Sequence, residues 1–217
     1  YNRELEADGF TPKKSPEFER VLADAVDGVV AGQKEIGISV PGDGEYGKAM
    51  GSAINYGSWW SYIYDRTEGL ELTGTDFFNA EPHRSEPGNI VLTSFDDRRD
   101  RSLFPGAYAD PVTGVPTTND KPETFIVPAA TGKVAFSELG KDLCANDITN
   151  FSHALEKSGY KQGYLSTLSP GSGARIHDEY YGDPDAFLDA WVDVMRPEYK
   201  AITDAGIQIQ IDDPSLA

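Results

Sequence analysis

Three polar residues stand where apolar sequence gives way to glycine or proline. They are Glu45 in Pro41-Gly-Asp-Gly-Glu45-Tyr-Gly-Lys48, Ser169 in Ser169-Pro-Gly-Ser-Gly173, and Asp212 at the end of Ile207-Gln-Ile-Gln-Ile-Asp212. Each follows an expected β-strand, over residues 36–40, 162–168 and 207–211 respectively. If the strands run parallel, all three residues lie at one mouth, because polar groups at the C-terminal ends of such strands form active sites. Two converging carboxylates can exchange protons, bind a metal, or clamp a cation such as an ammonium group. The residue types leave these three roles open.

His177 follows the Ser-Pro-Gly loop and can line the same mouth. A triad of Ser169, His177 and Asp212 is possible by count, but the nucleophile elbow that exposes such a serine is missing. Simpler roles compete. Asp43 and Glu45 can satisfy backbone N–H groups in a glycine turn, and Asp213 can cap a helix opening at Pro214. His83 and His153 are scattered, and there is no His-x-Cys or His-Glu-x-x-His, so no metal site can be written from this sequence. Cys144 is the single cysteine and has no disulfide partner in the chain, which fits a reducing cytoplasm.

The elements that must hold these residues alternate between helix and strand. Ser15-Pro16-Glu17 is a helix start, followed by an apolar stripe from Phe18 to Val30. Residues 49–66 read as a helix interrupted at Gly57, whose Trp59, Trp60 and Tyr62 can stack on a flat ligand or fill a core. Residues 67–130 hold many prolines and read as an excursion, with short strands expected at 70–73, 89–93 and 125–127 and a solvated charge run at 96–101. A strand is expected over Lys133–Ser137, and a helix capped by Asn146, carrying Ile148, Phe151 and Leu155 and ended by Gly159. Asp183 and Pro184 open the last helix, in which Pro197 should cause a kink or a split. This order predicts an α/β fold, either an open doubly wound sheet or part of a (β/α)8 barrel.

The chain has 217 residues and 39% apolar residues, enough to bury a core. A full barrel needs about 250 residues, so one incomplete barrel over 1–217, with 67–130 as an insertion, is expected. The chain does not begin with Met, and it stops just after a strand; it reads as a piece of a longer protein. A net charge of −17 argues against nucleic acid and against anionic membrane surfaces. The expected partner is a small molecule.

The turn Asp43-Gly-Glu45-Tyr-Gly-Lys48, the Ser169-Pro-Gly171 loop and Ile209-Gln-Ile-Asp-Asp-Pro214 resemble, in this order, the cobalamin-independent methionine synthase family. There the last motif usually reads Ile-Gln-Ile-Asp-Glu-Pro. The resemblance spans roughly 16–66 and 133–217 and is nearer to the short, single-barrel members. It implies a partial (β/α)8 barrel of the methionine synthase/uroporphyrinogen decarboxylase-like type. It also implies methyl transfer from 5-methyltetrahydrofolate to the thiol of homocysteine, assisted by zinc, in methionine biosynthesis. The roles of holding the substrate's amino group fall on Glu45 and Asp212, with Ser169 and His177 as further substrate-binding candidates. The family's zinc ligands, a His-x-Cys pair, a Glu and a later Cys, follow the Ile-Asp-Glu-Pro motif and so have no counterparts here; the piece alone is expected to be inactive. The tryptophan usual after the Gly-Pro loop is replaced by Arg175-Ile-His177. Related barrels alkylate other thiols such as coenzyme M, and a barrel that only binds a small amino compound is the non-enzymatic alternative.

Overall fold

The computed structural model describes residues 15–48, 58–73, 103–106 and 127–213. The expectations at 49–57, 89–93 and 96–101, including Met50, Ile54 and Tyr56, lie outside them, as do the side chains of Trp59 and Trp60.

Helix α1 runs Pro16–Glu35, with the Ser15 hydroxyl accepting from the Phe18 N–H, as the sequence predicts. It buries Leu22, Val26 and Val30, one residue per turn along one stripe. The strand expected next, at 36–40, is not formed. Gly37 takes φ 84°, the chain bends, and Ile36 and Ile38 are left 77% and 42% exposed. Only at Gly42 does this segment reach a strand, through a single parallel bridge to Tyr164.

Helix α2, Ser58–Arg66, leads directly into β1, Thr67–Thr73. Its partner is β2, Val127–Phe136, antiparallel, with an irregularity between Glu68 and Leu70. The scaffold strand expected at Lys133–Ser137 is therefore the last part of β2 and pairs with β1. Among the described residues it stands in a different sheet from the parallel strands over 164–168 and 208–212. Ser137 is not in the strand at all: its hydroxyl accepts from the Gly140 N–H and caps α3, Glu138–Lys157. Asn146, expected to be the cap, sits mid-helix and donates to Glu19 across the α1–α3 contact, because the helix begins earlier, at Glu138. Gly159, at φ 69°, follows the helix end as expected.

Strand β3, Tyr164–Leu168, is followed by the four-residue helix α4, Pro170–Gly173, and the two-residue strand β4, His177–Asp178. Asp183 then caps α5, Pro184–Asp204, which runs unbroken through Pro197. Strand β5, Gln208–Asp212, closes the described chain. Among the described residues the strands form two separate sheets. One has the order β1-β2-β4, and in the other β3 pairs parallel with β5. Tyr164 bonds to Pro41 on one side, and Gln208 bonds to Gly163 on the other, so β3 lies between the Gly42 segment and β5.

The architecture is mixed α/β, with no closed barrel among the described residues. One core gathers Leu22, Val26 and Val30 of α1 with Phe151 and Leu155 of α3, Leu165 and Ile207. The other gathers Tyr62 and Ile63 with Leu168, Phe187, Trp191 and Met195, which bears out the core reading of Tyr62. The apolar stripe of α5 is narrower than its sequence suggests, since Leu188 and Val192 face out. The isoleucine face of the closing strand is also incomplete: Ile207 is buried and Ile209 packs on the first core, but Ile211 is 52% exposed.

Candidate functional site

Register brings the three motif segments onto the parallel pair. Asp212 lies opposite Leu168, the last residue of β3, and the Ser169 N–H donates to the Asp212 carbonyl at 3.1 Å. Asp213 accepts from the Ser172 hydroxyl at 3.3 Å, tying the last motif to the Ser-Pro-Gly loop; Pro214, whose helix it was expected to cap, lies outside the described residues. On the other side of β3, the Gly42 bridge delivers the Asp43–Lys48 turn, and the Lys48 ammonium donates to the Ser166 carbonyl.

The individual side chains divide. Glu45 is exposed and holds φ 57°, a left-handed conformation that disfavours any residue with a Cβ. Its N–H donates to Asp43 Oδ1 at 3.0 Å, so the turn-satisfying role foreseen for Asp43 is present. Asp43 itself is 3% exposed. Burial raises its pKa, against the opposing pull of the Lys48 ammonium. Asp212 is half-buried and accepts from Gln210 Nε2 at 2.9 Å. Ser169 is buried with its hydroxyl accepting from the Ser172 N–H at 3.0 Å; it caps α4, and that bond leaves the triad geometry without support. His177 belongs to the other sheet, in β4, where it is half exposed with Nε2 3.7 Å from Glu179 Oε1.

Next to this region lies a buried ionic cluster that the motif reading missed. Arg66 on α2 reaches Asp147 on α3 at 2.6 Å and Glu198 on α5 at 2.9 Å. The Tyr62 hydroxyl donates to Glu198, and the Arg66 guanidinium stacks over the Tyr62 ring at 4.7 Å. Lys48 stands 5.4 Å from the same ring. Burial alone would lower the Arg66 pKa, but the Asp147 and Glu198 carboxylates more than offset that and hold it charged. Burial and then Glu198 push the Tyr62 hydroxyl well up, and the Cys144 thiol up to about 12, which makes this thiol inert. The signal was in the sequence. Asp147 falls between Cys144 and Phe151, and Glu198 between Met195 and Ile202, on the stripes of two amphipathic helices. A charge on an apolar stripe must be paired when it is buried.

Among the described residues, no three His, Cys, Asp or Glu side chains group so as to hold a metal ion. The zinc implied by resemblance has no ligand set among those residues. No described helix is long and apolar enough to cross a membrane.

A scan against protein-family models finds no match, and a search of curated proteins finds none either. Solved structures do match. A B12-independent methionine synthase from Shewanella sp. W3-18-1, in complex with selenomethionine, superposes with a TM-score of 0.57 at 16% identity. The match covers 99% of this chain and 48% of that one, so the chain spans about half the length of this neighbour. At that identity the likeness is one of fold: the described elements are similar in arrangement to part of a methionine synthase.

Proposed function

We propose that the chain is the substrate-amine side of a thiol alkyltransferase barrel of the cobalamin-independent methionine synthase type. In this reading the described elements are part of a (β/α)8 barrel, with 67–130 as an insertion in one domain. Glu45 and Asp212 receive the ammonium of homocysteine, and Ser169 shapes the loop beneath it. His177, which stands in the other sheet, drops to a lesser candidate. The observation that carries the reading is the junction of the three motif segments on β3 and β5, where Ser169 bonds to Asp212 and the Glu45 turn rests on Ser166. The superposed neighbour, a methionine synthase holding selenomethionine, supports the same reading.

The chemistry of the chain's own residues is recognition. A carboxylate pair at one mouth attracts a primary ammonium and orients the amino acid, leaving the thiol free to face another part of the barrel. Zinc, 5-methyltetrahydrofolate and a cytoplasmic setting belong to the proposal by resemblance, with no described residue assigned to the metal.

The test is methyl transfer to L-homocysteine by the intact protein supplied with zinc and 5-methyltetrahydrofolate. Turnover that collapses in Glu45→Gln and Asp212→Asn is expected. Transfer only to a thiol without an amino group, such as coenzyme M, or none to any thiol, contradicts the reading.

A further inference from the structure

We propose that Asp147 is a positioning residue for Glu45, acting through Gly47 and itself held by Arg66. The inference rests on the proposed function, in which Glu45 meets the substrate ammonium.

The turn that carries Glu45 is exposed at its tip, from Gly44 to Tyr46, yet pinned on all sides. Gln33 holds Gly42 twice, donating to its carbonyl at 2.8 Å and accepting from its N–H at 3.1 Å. The buried Asp43 takes the Glu45 N–H. Lys48 is tethered to the β3 backbone at Ser166. Gly47 is buried, and the space a Cβ would need there is filled by the Asp147 carboxylate. That carboxylate is not free to swing aside, because Arg66 Nη2 bonds it at 2.6 Å in a site where both side chains are almost fully buried.

Asp147 is also more than a counter-charge. Glu198 already pairs with the same guanidinium at 2.9 Å, so Arg66 would not be left unpaired without Asp147. A second buried carboxylate costs desolvation, which its bond to Arg66 and its contact with the turn together offset. The left-handed conformation of Glu45 points the same way. Such a conformation in a residue other than glycine persists where the surroundings over-determine it, and here the pins lie directly before and after it, at Asp43, Gly47 and Lys48. Arg66 and Asp147 therefore set the height and direction of the Glu45 turn beside β3.

The test compares calorimetric binding of L-methionine with that of its des-amino analogue, 4-(methylthio)butanoate, on the intact protein. Gly47 does not use a left-handed backbone, and in Gly47→Ala the three atoms nearest the new methyl group all belong to the Asp147 carboxylate. Gly47→Ala and Asp147→Asn are expected to lose about tenfold or more of the preference for the amino acid, the size of one charged hydrogen bond. Binding of the analogue should stay at the wild-type level. Asp147→Asn, which keeps the shape, carries the test if Gly47→Ala does not fold. Glu45→Gln is the control. If it loses the preference while the other variants keep it, the role of Asp147 is overturned. If Glu45→Gln itself keeps the preference, the underlying reading of Glu45 fails instead. Equal losses for both ligands mark a merely structural effect and also overturn the inference.

Discussion

Glu45 sits at φ 57°, in a backbone region where glycine would be at ease. Its side chain is therefore retained against local strain of roughly 1–2 kcal/mol. Glu45→Gly should stabilise the protein, by about 1 kcal/mol once the added freedom of the unfolded chain is subtracted. The same variant should abolish amino-acid recognition, and urea unfolding together with ligand titration reads both effects. Its neighbour Asp43 makes a second residue-scale prediction. Burial raises its folded pKa above the unfolded value of about 3.9. A raised carboxyl contributes stability that is fully present below the unfolded pKa and is lost as pH rises through the folded pKa. Asp43→Asn, which mimics the neutral form, should thus match wild type at the acid end and gain on it as pH rises. Melting temperatures across that range check the slope; an advantage that grows towards acid pH contradicts it.

At the scale of elements, three helices meet over one guanidinium. Arg66, Asp147 and Glu198 come from α2, α3 and α5, and each is almost fully buried. Glu198→Ala leaves Arg66 paired with Asp147 but removes a buried charged hydrogen-bond partner, so it should cost about 1.5–3 kcal/mol. It also strips the Tyr62 hydroxyl of its acceptor. Chemical denaturation measures this, and a loss no larger than that of an exposed pair would argue against the buried cluster. A smaller effect is expected at Asp178, whose carboxylate accepts from the N–H groups of Tyr180, Tyr181 and Gly182 at 3.0, 2.8 and 2.8 Å. Burial alone would raise its pKa, but these three bonds prevail and lower it. Its contribution is therefore present above the unfolded value and fades as pH falls through the folded one. Asp178→Ala should destabilise by about 1–3 kcal/mol near neutral pH, and the penalty should shrink in acid.

Much of the element pattern was legible because it is local. Serine and aspartate caps with proline in the first turn, and glycine after α3, mark helix ends by their own backbone chemistry, and α1 and α5 follow them. What was not legible depends on distant partners. The 36–40 segment has strand-like residues, but its isoleucines find nothing to pack on, and only Gly42 pairs. Lys133–Phe136 does form a strand, but β1 takes it as an antiparallel partner, and sequence patterning carries no information on that choice. The α3 boundary falls earlier than expected because Ser137, which reads as a strand end, caps the helix, and Leu139, Leu143 and Cys144 already extend its apolar stripe. Of the candidate site, the sequence sets Ser169 just after one strand and Asp212 at the end of another, and those strands, β3 and β5, do pair in parallel, the condition that the reading required. The cap role of Ser169, the separate sheet of His177 and the cluster behind the turn were not foreseen.

At the scale of the whole molecule, a fold similar to part of a methionine synthase carries three motif segments that meet on β3 and β5, and from these comes the proposal for Glu45 and Asp212. The central claim is that Glu45 and Asp212 recognise the ammonium of a thiol-bearing amino acid. Calorimetric titration of the intact protein with L-homocysteine and with its des-amino analogue, 4-sulfanylbutanoate, tests that claim most directly. The account predicts that the amino acid binds at least about tenfold more tightly, and that the preference disappears in both Glu45→Gln and Asp212→Asn. Equal affinity for the two thiols in wild type, or a preference that survives in both variants, would contradict it.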